Sequence, residues 1–123
     1  MVFDELSNRV ISCAIEVHCI LGPGLLESAY EQCLAFELEK ADIPFQAQKP
    51  LPVVYKTFRL DCGYRMDIVV DNTLLLELKS VEMLLPVHEA QLLTYLKLSG
   101  IRTGLLLNFN VAVLKKGIKR FIL

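Results

Sequence analysis

Apolar residues recur along this chain with two different periods, and the change of period divides it. Phe3, Leu6, Val10, Cys13, Ala14, Val17 and Leu21 are spaced three and four apart, which places them on one face of a helix over residues 3–21. Leu21-Gly22-Pro23-Gly24 then stops and turns the chain. Leu26, Ala29, Tyr30, Cys33, Leu34 and Leu38 repeat the helical spacing over residues 25–40, ending before Ile43-Pro44. Beyond that point the apolar runs shorten. Residues 46–55 read as a strand, which Pro50 and Pro52 confine to a sheet edge. Lys56-Thr57 turns into strands over 58–70 and 74–80, followed by a helix over 88–98 that ends at Ser99-Gly100. Residues 103–109 are continuously apolar, as at the centre of a sheet, and 111–123 read as a last strand or extended tail with a turn at Gly117. The order is ααβββαββ, an α/β fold of one mixed sheet and a few helices.

Three charges interrupt this pattern inside the strands. Asp67 lies in Arg65-Met66-Asp67-Ile68-Val69-Val70, and Glu77 and Lys79 lie in Leu74-Leu75-Leu76-Glu77-Leu78-Lys79. Charges are costly to bury unless paired or bound to a metal. Glu77 and Lys79 share a strand face. Asp67 joins them only if the turn has an odd length: Asp71-Asn72-Thr73 would set Val70 against Leu74 and Asp67 against Glu77. A two-residue turn would put the carboxylates on opposite faces unless a bulge near Asp67 restored the parity. On one face, Asp67 and Glu77 suit a divalent ion such as Mg²⁺, with the Leu78 carbonyl as a third ligand. Lys79 would then orient a water or stabilise charge developing on a phosphate. The residues alone leave a second reading open, a strand-face salt bridge of Lys79 with Glu77 or Asp67.

Composition narrows the classes. The length of 123 residues suits one domain, residues 1–123, with a single core. Hydrophobic residues make up 54%, so a partner or second copy is expected over part of the surface, and a homodimer is plausible. No apolar run is long enough to cross a bilayer, and Asp4, Glu5 and Arg9 break any secretory pattern, so a cytoplasmic protein is expected. Cys13, Cys19, Cys33 and Cys62 lack metal-ligand spacing and read as reduced thiols. A net charge of −1 argues against a stand-alone, tight, nonspecific DNA binder. It allows an enzyme with a local basic patch, for which Lys115, Lys116, Lys119 and Arg120 are candidates. There is no glycine-rich phosphate loop, and no Ser-His-Asp or Cys-His arrangement is legible.

Together, the acid–acid–lysine pattern, Gly24-Leu25-Leu26-Glu27-Ser28-Ala29-Tyr30, Glu16-Val17-His18, Leu21-Gly22-Pro23-Gly24, Arg65-Met66-Asp67, residues 91–97, residues 105–109 and Gly117-Ile118-Lys119-Arg120 resemble the GxxExxY family of the PD-(D/E)XK nuclease superfamily over almost the whole chain. Asn110 departs from it, since the family usually has Gly after Asn-Phe. The resemblance implies a restriction-endonuclease-like central mixed sheet flanked by helices, and phosphodiester cleavage dependent on Mg²⁺ or Mn²⁺. By position it makes Asp67 and Glu77 metal ligands, Lys79 the catalytic lysine, and Glu27 a further contributor to the metal shell. It likens Gln91 and Tyr95, four apart on one helix face, to a Gln-x-x-x-Tyr element that helps hold the site and the nucleic acid.

The remaining candidates carry competing readings. Glu27 and Glu31 also suit a solvated helix start, where acids complement the dipole. Tyr30 packs over the site or hydrogen-bonds within it. His18 is a phosphate or Glu27 partner, or a structural histidine. Arg65 shares a strand face with Asp67 and binds phosphate or pairs with an acid. His88 reads as a surface or capping residue, and Asp61 and Glu82 as solvated. The functional expectation is a metal-dependent nuclease acting on nucleic acid, DNA before RNA, with no membrane role. The alternative is a non-catalytic nucleic-acid or protein interaction module on a nuclease-like fold.

Overall fold

The computed structural model describes residues 4–123; Phe3, read above as the first apolar position of the helix, lies outside the described residues. Helix α1 is Glu5–Leu21 and α2 is Glu27–Lys40. Asp4 starts α1 by accepting from the Ser7 N–H at 2.7 Å, and that backbone bond is the main reason its acidity is raised. Strand β1 is Phe45–Pro50, β2 Val53–Tyr55, β3 Phe58–Leu60, β4 Arg65–Val70 and β5 Leu74–Lys79. Helix α3, Pro86–Ser99, leads to β6, Thr103–Asn108, then a 3-10 turn at Leu114–Gly117 and β7, Ile118–Ile122.

The five main strands form one sheet in the order β1-β4-β5-β6-β7, with β5 and β6 parallel and the other neighbours antiparallel. Side-chain alternation gives it two apolar faces. Ile68, Val70, Leu74, Leu76, Leu78, Leu105 and Leu107 pack with Val10, Ala14, Val17, Tyr30, Leu34 and Leu38 of α1 and α2. Val69, Leu75 and Leu106 pack on the other face with Leu92, Tyr95 and Leu96 of α3. Gly104 lets α3 approach closely, because a Cβ there would stand 3.0 Å from Leu92 Cδ1. The result is a mixed sheet between helical layers, consistent with a restriction-endonuclease-like fold.

Two long expected strands are each divided. Residues 46–55 break between β1 and β2, and 58–70 break between β3 and β4. The Leu51 N–H still donates to the Tyr64 carbonyl at 2.9 Å, but Pro52 has no N–H to continue the ladder. Beyond this point β2 and β3 pair only with each other, as a separate hairpin. A turn in which Asp61 Oδ1 accepts from the Gly63 N–H at 3.2 Å returns the chain to the sheet. The prolines place β1 at the sheet edge, as expected. The tail also divides, into the 3-10 turn and β7, and Gly117 joins the two.

Gly117 is pressed against β6: a Cβ there would lie 2.2 Å from the Asn108 carbonyl oxygen. Backbone cannot yield as a flexible side chain can. Gly117→Ala is expected to destabilise the protein by at least about 1–3 kcal/mol in urea unfolding. Stability unchanged from wild type would contradict this packing.

Candidate active site

The turn between β4 and β5 determines whether the two strand carboxylates meet. Asp71 and Asn72 adopt left-handed backbone, φ 50 and 53, a region in which Asp and Asn are enriched. The Thr73 N–H donates to the Val70 carbonyl at 3.0 Å, and Thr73 is the extra residue of the turn. The ladder then runs Val70 with Leu74, Val69 with Leu75 and Ile68 with Leu76. This is the odd-length register, and it carries Asp67 opposite Glu77.

At that position the ladder changes character. The Asp67 N–H donates to Glu77 Oε2 at 2.9 Å, and the Leu78 N–H donates to Asp67 Oδ2 at 2.8 Å. Each carboxylate takes the backbone donor of the other strand, so the pair wedges into the sheet. Each bond satisfies a strand N–H that would otherwise lose its ladder partner, at a cost of about 1–3 kcal/mol. Burial opposes ionisation. It raises Glu77 to about 8, with the neighbouring Asp67 charge adding to the effect. Burial also raises Asp67, against the Leu78 N–H bond and the Lys79 charge.

Gln48 stands between the Ala47–Ile68 and Lys49–Met66 pairs, opposite Asp67 on the other flank. Its φ of 53 breaks the β1 ladder there, and its Nε2 donates to Glu31 Oε1 at 2.6 Å. Glu27, Ser28, Glu31, Gln48 and Asp67 line a cleft of about 430 Å³. Glu31 is raised by burial first and by the Asp67 charge as well. Glu27 begins α2 and accepts from the Ser80 N–H at 3.3 Å, while Ser80 Oγ donates to the Leu25 carbonyl at 2.6 Å. Ser80 thereby ties the residue after Lys79 to the start of α2. Lys79 is partly buried and lies within the field of both carboxylates, but its ammonium forms neither a hydrogen bond nor a direct ion pair among the described residues.

The other sequence candidates fall into two groups. Gln91 Nε2 donates to Tyr95 Oη at 3.1 Å on α3, and burial raises Tyr95, with Glu77 and Asp67 also acting on it. Arg65 is exposed two residues before Asp67. Tyr30 and His18, by contrast, are engaged in the framework. Tyr30 is fully buried and stacks on Phe109 at 4.5 Å. Its hydroxyl donates to the Gly22 carbonyl at 2.6 Å and accepts from the Leu25 N–H at 3.1 Å. Tyr30 thus holds the turn that delivers Glu27. His18 Nε2 lies 2.8 Å from the Val111 carbonyl and 3.1 Å from that of Phe109, so it carries the proton and donates to both. His88 Nδ1 accepts from the Leu85 N–H at 2.9 Å at the start of α3. In the C-terminal basic group, Lys119 pairs with Glu89 at 2.8 Å and Arg120 with Asp4 at 3.4 Å, leaving Lys115 and Lys116 as its exposed unpaired cations among the described residues.

Three residues of the site carried little sequence signal. Gln48 sits in a proline-flanked edge strand, Ser80 follows the lysine with no motif of its own, and Glu31 reads as one more exposed helix acid.

Among the described residues no group of three His, Cys, Asp or Glu side chains is spaced to hold an ion by itself. Asp67 and Glu77 nevertheless fit Mg²⁺ or Mn²⁺. Their donors are hard carboxylate oxygens, the buried Glu77 lies beside the half-buried Asp67, and Mg²⁺ is commonly held by one or two carboxylates with waters and substrate phosphates completing the shell. No helix among the described residues is long and apolar enough to cross a membrane. The family model of the PD-(D/E)XK nuclease superfamily matches residues 4–121. No curated protein and no solved structure matches the chain.

The raised Glu77 links the site to stability. Glu77 holds its proton more tightly folded than unfolded, so its contribution is complete below about 4.5 and is lost as pH rises toward about 8. In chelator, the stability of the protein is expected to fall across that window, by at most about 1.4 kcal/mol per pH unit from this group. Glu77→Gln, which keeps the acceptor without the charge, should flatten the decline. An unchanged profile in urea unfolding would contradict the assignment.

Proposed function

Because the chain belongs to the PD-(D/E)XK nuclease superfamily, whose members act on nucleic acid, we propose that it hydrolyses phosphodiester bonds of DNA with a divalent metal ion. Within the superfamily we assign it to the GxxExxY group. Gly24 at φ 100 makes the turn, Glu27 faces Ser80, and the Tyr30 hydroxyl fastens that turn. The observation that carries the reading is the Asp67–Glu77 wedge with the Lys79 ammonium beside it.

Asp67 and Glu77 would hold Mg²⁺ or Mn²⁺, with Glu27 and the Leu78 carbonyl completing the shell. Bound there, the ion supplies Lewis-acid polarisation of the scissile phosphate and a more acidic water. Lys79, free of a direct carboxylate partner, is available to orient the attacking water and to stabilise negative charge on the phosphate oxygens. Gln91 and Tyr95 would steady the carboxylate side of the site, and Arg65 would draw a phosphate toward it. DNA is the proposed substrate before RNA, in a cytoplasmic setting. Two copies are proposed to pair over exposed apolar residues such as Ile20 and Phe36, which are 72% and 65% exposed.

Purified protein incubated with single-stranded and duplex DNA and with RNA tests this. Cleavage is expected in Mg²⁺ or Mn²⁺ and is expected to be abolished by chelator. Asp67→Ala should abolish it, and Lys79→Ala should lower it by about 10²–10³-fold, the usual effect of removing one group that stabilises transition-state charge. Cleavage unaffected by both substitutions would overturn the site. If no substrate is cut and calorimetry finds no metal binding, the non-catalytic module becomes the better reading.

A further inference from the structure

The hairpin outside the sheet presents aromatic and cationic side chains to solvent. Tyr55 and Phe58 are directly paired across it, and each is 62% exposed. Rings of that size usually supply core area. Here they stand at the tip of a two-stranded element, where little of them is covered. Lys56 Nζ lies 5.4 Å over the Tyr55 ring, and Arg59 and Arg65 are exposed nearby in sequence. Lys56 turns the hairpin at φ 56, a conformation that favours glycine, so the tip carries a cation in a strained position.

The hairpin springs from the strands that carry the site. Its base is closed by the Leu51–Tyr64 backbone bond, three residues along β4 from Asp67, or about 10 Å of extended chain. Tyr64, 48% exposed, meets Tyr95 edge-on at 6.2 Å, and Tyr95 holds Gln91. Tyr64 and Tyr95 thus place an aromatic pair at the base of the hairpin, and Tyr95 feels the charges of Glu77 and Asp67. Charge is distributed unevenly along the chain. Residues 1–48, which include α1 and α2, carry eight acidic and two basic side chains, whereas 49–123 carry six acidic and eleven basic. A polyanion is repelled by the first group and attracted by the second.

We propose that the β2–β3 hairpin grips unpaired nucleotides, with bases stacking on Tyr55 and Phe58 and phosphates meeting Lys56, Arg59 and Arg65, so that the substrate is single-stranded or locally opened DNA. This rests on the nuclease reading above and specifies its substrate. Base faces are hidden inside a closed duplex and open in a single strand, and stacking on exposed rings needs them open.

The chain has no tryptophan, so Phe58→Trp introduces a unique fluorophore at the tip. In chelator, its emission is expected to be quenched on titration with a single-stranded DNA oligonucleotide, and much less by the same strand annealed to its complement. By fluorescence anisotropy, Tyr55→Ala and Phe58→Ala should each weaken single-strand binding by about 5- to 100-fold. Ile122→Ala, an exposed apolar residue on β7 at the far edge of the sheet from β1, should bind as wild type. Absence of quenching, equal affinity for duplex, or an equal loss in Ile122→Ala would overturn the grip, and the last of these would point to a general apolar surface. Cleavage in Mg²⁺ separates the two proposals. If the protein cuts DNA while the hairpin variants bind and cut like wild type, the grip alone fails. If quenching occurs without cleavage in any metal, the nuclease reading alone fails.

Discussion

The reciprocal exchange between Asp67 and Glu77 is the constraint on which the rest of this architecture turns. Two carboxylates replace ladder partners by accepting each other's strand N–H groups. The sheet can therefore separate at this level without leaving those donors unsatisfied, which would cost about 1–3 kcal/mol each. The same exchange sets the buried Glu77 beside the half-buried Asp67, whose charge opposes ionisation of Glu77. A bound cation would relieve that opposition. Structure and candidate chemistry thus draw on a single set of four atoms, two amide nitrogens and two carboxylate oxygens.

The helical layer is fixed to this point by short polar ties. Tyr30 grips both ends of the Gly22–Leu25 turn, Ser80 links that turn to the end of β5, and Gln48 reaches Glu31 from the opposite strand. His18 secures the segment after β6 through two carbonyls. None of these ties is strong alone. Together they hold Glu27 and Glu31 over a break in the sheet that the apolar core leaves open.

Much of this was legible before any coordinates. The helical spacings of α1 and α2, the proline-marked edge strand and the apolar β6 follow from periodicity. The expensive charges at 67, 77 and 79 mark the candidate site, and parity leaves two ways for its carboxylates to meet, an odd turn or a bulge, of which the chain takes the first. The hairpin was not legible, because apolar alternation reads the same whether a strand joins the main sheet or only its neighbour. Gln48 and Ser80 were missed because their roles come from a left-handed backbone and a side-chain-to-turn bond, neither of which leaves a pattern in composition. Tyr30 and His18 were visible as singular residues, but sequence could not say which neighbours would take their polar atoms. Those neighbours are backbone carbonyls and an amide.

The extra residue at Thr73 has an evolutionary consequence. Loops on protein surfaces generally accept insertions and deletions readily, and 71–73 is exposed. Yet loss of one residue here, with pairing otherwise kept, would invert the alternation of β5. Glu77 and Lys79 would be driven into the apolar layer beneath α1 and α2, and Leu76 and Leu78 would take their places. This short surface turn should therefore be free to vary in composition wherever left-handed backbone is tolerated, but frozen in length as firmly as any core position.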